Sequence, residues 1–124
     1  MPDENAPLFL RAGQIVLADW RGDALPNEPN KLRPAIVVED SDLFVAAYRN
    51  VILVPMTDDA RLVIQDLAVL MAPSPENGCT KPCWAAAHLV TTTSKARLRR
   101  TPSRVTVAEL SAIRRRIAEA VGAA

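Results

Sequence analysis

Apolar residues alternate with polar or outward positions along Gln14-Ile-Val-Leu-Ala-Asp-Trp20, with Ile15, Leu17 and Asp19 in phase on one face. A period of two is the signature of a strand. The next stretch, Arg21 to Leu32, carries a glycine, two prolines and two asparagines and predicts a long polar loop. Arg33-Pro-Ala-Ile-Val-Val38 predicts a second strand, with Pro34 tolerated near its start because proline cannot donate to a central ladder. Glu39 to Asn50 reads as a connection, and Val51-Ile-Leu-Val-Pro-Met56 as a third strand ending at Thr57-Asp58-Asp59. Leu62 to Leu70 predicts a fourth strand, Ala72 to Pro82 a turn-rich loop, and Trp84 to Thr93 a fifth strand.

The last segment changes period. Thr106 followed by Glu109 fits a capping box, in which each side chain satisfies an orphan amide at a helix start. Val107, Leu110, Ile113, Ile117 and Val121 then fall on one stripe, and Gly122 supplies the stop. Strands followed by one terminal helix predict a mainly β protein, a small curved sheet or partial barrel of about five to seven strands with the helix packed on it. Residues 1–12 read as a loose tail with Pro2 and Pro7, and residues 13–122 as a single domain.

Composition narrows the function classes. At 124 residues, 49% hydrophobic and 23% charged, the chain supports one ordered core. Its four glycines form neither a GxGxxG nor a GxxxxGK[ST] phosphate loop. The first residues lack the basic start and apolar run of a secretory signal, and no uninterrupted apolar stretch is long enough to span a bilayer, so a cytoplasmic location is expected. Net charge is +1 but uneven: residues 1–90 hold 7 Lys+Arg against 12 Asp+Glu, and residues 91–124 hold 8 against 2. A basic C-terminal third suits an anionic partner, self-association or a solvated face.

Candidate chemistry is sparse. Cys79 and Cys83 with His88 offer three soft ligands, one short of a structural zinc tetrahedron, so no metal or other cofactor is expected and the cysteines read as reduced thiols. No Ser-His-Asp or Cys-His constellation can be assembled around the one histidine. Arg33 opens one apolar strand and Thr57 closes another. Were those strands neighbours, a guanidinium fork and a hydroxyl would meet at a sheet end, the parts needed to hold a crowded phosphorane. The alternative is that Arg33 pairs with Asp58 while Thr57 caps a turn.

Five segments, taken together, resemble the PemK/MazF family of toxin–antitoxin toxins. GQIVLADW resembles its "GD-I-V-x-x-D" opening, Glu28-x-x-Lys31-x-Arg33-Pro34-Ala-Ile-Val-Val its "E-x-x-K-x-RP-x-V-V" strand, and ILVPMT its "V-x-P-I-T" strand. CWAAAHLVTTTSKARL tracks "SWVxxDQVRTVSKxRL", and VTVAELSAIRRRIAEAVG the helical ending, so the likeness spans roughly residues 13–122. The resemblance implies a strongly curved sheet, a two-fold homodimer, single-stranded RNA as substrate, an acidic antitoxin as partner, and metal-independent cleavage by 2′-hydroxyl attack. It implies Arg33 and Thr57 as catalytic residues, and Glu28, Lys31, Asp58, Lys95 and Arg97 as RNA-binding ones.

The chain departs from the family where "DQVR" is replaced by His88-Leu89-Val90-Thr91, and where Ala86 stands at the position of the acid Arg in Kid-like members. Two outcomes follow. In one, His88 takes over proton transfer as a third catalytic residue, for which an imidazole is suited near neutrality; otherwise it is a strand histidine with a packing role. In the other, the chain is a weak or inactive enzyme that acts as a CcdB-like, protein-binding growth inhibitor. The basic run Lys95, Arg97, Arg99, Arg100 and Arg104 reads either as a solvated loop or as a contact for RNA or an acidic tail.

Overall fold

The computed structural model describes residues 10–19 and 32–124. Seven antiparallel strands form one open sheet: β1 (Gln14–Asp19), β2 (Leu32–Val37), β3 (Asn50–Thr57), β4 (Ala68–Met71), β5 (Cys83–Ala86), β6 (Thr91–Ser94) and β7 (Leu98–Arg104). Their order is β4-β5-β3-β2-β1-β7, with β6 also on β3. A single helix, α1 (Val107–Ala120), follows. The mainly β class and the terminal helix are as the sequence predicts. Trp20 and the loop through Lys31 lie outside the described residues.

Three strand expectations are corrected. The single strand expected over Trp84–Thr93 is two, because β5 and β6 both pair with the same edge of β3. Ala85 sits opposite Met56 and Thr91 opposite Leu53, so six residues advance on one side against three on the other. The surplus coils into a 3-10 turn at Ala87–Leu89, and such an insertion bends a sheet. The fourth strand begins only at Ala68, since Asp59 caps a 3-10 turn by accepting from the Arg61 amide at 2.9 Å and a second turn follows at Gln65–Leu67. Residues 98–104, with their charges and Pro102, form the edge strand β7. Edge strands carry charge and proline because one side of their ladder is unpaired, and this hides them from an apolar-alternation reading.

Burial occurs on both faces of the sheet. Ile15, Ile36, Val38, Val54, Met56 and Met71 join Val105 and Ile113 in one cluster, against which Leu110 and Ile117 of α1 pack. Val16, Ala18, Ala35, Val37, Val51, Leu53 and Leu98 form a second cluster from the opposite-facing positions. The helix starts at the predicted capping box, with Glu109 N–H donating to Thr106 Oγ1 at 3.0 Å and Thr106 N–H to Glu109 Oε1 at 2.9 Å. Its stripe is buried only in the middle: Ile113 is fully covered, while Val107 and Val121 are 87% and 67% exposed. A helix of 14 residues is roughly 21 Å long and overhangs the sheet at both ends. Arg114 and Arg115 are exposed, and the Arg114 guanidinium donates to the carbonyls of Val38 and Glu39 at 3.0 and 2.9 Å, tying the helix to the end of β2. No helix among the described residues is long and apolar enough to cross a membrane.

Candidate functional site

β2 and β3 are neighbours, with Ala35 opposite Pro55 and Ile36 opposite Val54. Extending that register sets Arg33 across from Thr57, and directly opposed residues project to the same face. Both residues are among those that line one cavity of about 500 Å³. Its apolar floor includes Ile15, Leu17, Pro34 and Met56, and its rim adds Asp58, Lys81, Cys79, Cys83, Thr101 and Ser103.

The alternative in which Arg33 pairs with Asp58 is not what forms. Asp58 takes Lys81 instead, at 2.6 Å. That hydrogen bond and the ammonium charge hold the Asp58 carboxyl below its ordinary range, and the carboxylate in turn raises Lys81. Asp59 is engaged separately by Arg61 through two side-chain bonds of 2.9 and 3.0 Å, which lower it too. The two adjacent carboxylates are thus each neutralised by a different cation. Thr57 does cap a turn, accepting from the Asp59 amide at 3.1 Å. A hydroxyl that accepts there keeps its own proton to donate into the cavity.

Lys81 escaped the sequence reading because it sits in the turn-rich loop. What holds that loop is Asn77, 4% exposed, whose side chain accepts from the amides of Ser74 and Cys79 at 3.0 and 2.9 Å and donates to the Ala72 carbonyl at 2.9 Å. Gly78 has φ +66°, and a Cβ there would lie 2.6 Å from Ser103 Oγ, so only glycine lets the loop close onto β7. The Asn77-Gly78 pair was the available signal, since it marks a turn that fixes whatever follows.

The thiols of Cys79 and Cys83 interact on the cavity wall. Burial, then the hydrogen bond and charge of Cys83, push Cys79 up to about 11. His88 is not on this wall, so the C-x3-C…H spacing does not gather three ligands. Among the described residues no group of three His, Cys, Asp or Glu side chains converges.

His88 falls instead on the 3-10 turn at Ala87–Leu89, packed against α1, with Nδ1 buried and lacking a hydrogen-bond partner among the described residues. His88 is not among the residues that line the cavity with Arg33 and Thr57, because the extra residues between β5 and β6 place it on that turn. Lys95 does not line this cavity either. It is 8% exposed, and its ammonium donates to the Ala46 carbonyl at 3.2 Å. Arg97 is exposed at the end of the following turn and does not line the cavity. Glu28 and Lys31 lie outside the described residues.

Solved structures with this fold include an endoribonuclease in complex with its cognate antitoxin from a mycobacterial species. It has a TM-score of 0.67 and 22% identity over 91% of this chain and 95% of that one. The Mycobacterium tuberculosis toxin MazF-mt6 follows at a TM-score of 0.66 and 18% identity, covering 88% and 96%. MazF from Deinococcus radiodurans has a TM-score of 0.70 at 16% identity, covering 93% and 98%. None of the curated proteins matches the sequence. A family model described as the PemK-like, MazF-like toxin of type II toxin–antitoxin systems matches residues 11–121. With almost the whole sequence inside that match, this chain belongs to the PemK-like, MazF-like toxin family.

Proposed function

We propose that this toxin is an endoribonuclease that cuts single-stranded RNA in the cytoplasm as a homodimer, and that an acidic antitoxin restrains it. The observation that carries the reading is the shared cavity of Arg33 and Thr57 at adjoining strand ends. In the proposed reaction the ribose 2′-oxygen bonds to phosphorus while the bond from phosphorus to the 5′-oxygen breaks. One proton leaves the 2′-hydroxyl, another arrives on the 5′-oxygen, and the products are a 2′,3′-cyclic phosphate and a 5′-hydroxyl. Arg33 is positioned to take two phosphate oxygens through its planar fork and Thr57 to add a hydroxyl donor. Lys81 supplies a further cation at the rim. Positive charge held in place before the reaction stabilises the crowded intermediate without a metal ion. The antitoxin partner is supported by relatives solved with theirs, among them the mycobacterial endoribonuclease and the Deinococcus radiodurans MazE-MazF complex.

A second reading has its own observation. Asp58 and Lys81 are bound to each other at the rim, and His88 does not line the cavity, so no imidazole stands beside Arg33 and Thr57 among the described lining residues. A cavity that binds phosphate but transfers protons poorly fits a weak enzyme acting as a protein-binding growth inhibitor, whose target is a protein.

Cleavage of a defined RNA by purified protein in excess EDTA, with end-group analysis of the products, tests the first reading. The wild type is expected to leave cyclic phosphate ends, and Arg33→Ala to lower the rate on the order of 10²–10³-fold. Full activity in Arg33→Ala overturns the mechanism. Intact RNA beside arrested cell-free translation favours the protein-binding reading.

A further inference from the structure

A second cavity opens beside the first. Its walls include Arg11, Gln14, Arg100, Thr101, Ser103 and Arg104, and its volume is about 290 Å³. Thr101 and Ser103 belong to the walls of both cavities, so the two adjoin at β7. The reason lies in the pairing of β1 with β7. Val16 sits opposite Arg100 and Gln14 opposite Arg104, so β7 advances four residues where β1 advances two. The bulge is locked by Thr101, whose hydroxyl donates to the Ile15 carbonyl at 2.6 Å and accepts from the Ser103 amide at 3.1 Å. Bulges re-aim side chains at sheet edges.

Charges on an edge strand can merely deter pairing with another edge. That role would be served by cations anywhere along β7. Here three arginines, Arg11, Arg100 and Arg104, are among the residues that line one concavity. Among the described residues neither Arg100 nor Arg104 is held by an acid. The concavity adjoins, across Thr101 and Ser103, the cavity that Arg33 and Thr57 help to line. Single-stranded nucleic acid is bound by such basic grooves that track its backbone.

We propose that the Arg11–Arg100–Arg104 cavity is a backbone subsite that holds a phosphate neighbouring the one on Arg33 and Thr57. The proposal rests on the ribonuclease reading, since it takes the occupant to be the same RNA strand. It assigns the basic stretch of β7 to strand tracking and the hydroxyls of Thr101 and Ser103 to the passage between the subsites. Binding there is indifferent to base identity, because guanidinium–phosphate contacts carry no sequence information.

The test is the salt dependence of binding to a short 2′-O-methyl RNA, which cannot be cleaved. Each single-strand phosphate contact adds about 0.7 to the slope of log affinity against log salt, so losing the one phosphate of this subsite in Arg100→Ala/Arg104→Ala should flatten it by about 0.7. Arg100→Lys/Arg104→Lys should restore the slope, which rules out misfolding as the cause. Cleavage of a dinucleotide with a single phosphodiester should be the same in wild type and the alanine variant. An unchanged slope in a variant of a wild type that does bind and cleave RNA overturns the subsite and leaves the ribonuclease reading standing. A wild type that binds no RNA overturns both. Loss of binding to a polyglutamate peptide with an unchanged RNA slope would assign the cavity to an acidic protein tail and overturn the proposal.

Discussion

Lys81 and Asp58 set the electrostatics at the rim of the main cavity. The pair is solvent-exposed and contributes little to stability, but it fixes where a cation stands. Because Asp58 is depressed in the folded protein, its interaction is intact above its ordinary value near 3.8 and is lost as pH falls through the lower folded value. Carboxyl NMR titration should show the Asp58 midpoint rising toward that ordinary value in Lys81→Ala. An unmoved midpoint would mean the pair does not form in solution. Arg33 and Thr57 were legible in the sequence because each borders an apolar strand. Lys81 was not, since its place depends on Asn77 satisfying a loop and on Gly78 approaching Ser103. The placement of His88 on a turn was not legible for a similar reason, as nothing in its neighbours announces three residues leaving the ladder.

At the scale of elements, α1 is the part most fully written in local sequence. Its start depends on the reciprocal bonds of Thr106 and Glu109, and Thr106→Ala should cost about 1 kcal/mol in urea unfolding. Ile113, fully buried in the middle of the stripe, should cost about 2–5 kcal/mol when changed to alanine, measured the same way. A cost for Thr106→Ala equal to that of Ile113→Ala would contradict a helix held chiefly by its buried centre. The strands divide by environment. β1, β2 and β3 are central and announce themselves by apolar content, whereas β7 is an edge whose arginines and proline resemble a loop. The same exposed edge, once bulged, supplies the second cavity, so the least legible strand carries part of the candidate binding surface.

Across the whole molecule, sheet and helix share one cluster, because Ile113 and Val105 pack with residues of β1, β2, β3 and β4. A chain of this size with a shared core should unfold in one step. Far-UV dichroism, which follows α1, and tryptophan fluorescence, to which Trp84 on β5 contributes, should give coincident urea curves. A separate early loss of helix would show the two layers to be independent. The charge asymmetry of the sequence becomes spatial at this scale, since part of the basic C-terminal third returns to the edge beside β1 and turns toward the cavity.

The detour at Ala87–Leu89 has a consequence for how this architecture accommodates change. Register is secured on either side of it by Ala85 against Met56 and Thr91 against Leu53. Ala87 anchors the turn in the core, while His88 and Leu89 stand outside the ladder. Leu89, 43% exposed, is the interchangeable position: its side chain can be swapped without breaking a cross-strand hydrogen bond, whereas His88, with Nδ1 buried on a turn packed against α1, is tied to the scaffold.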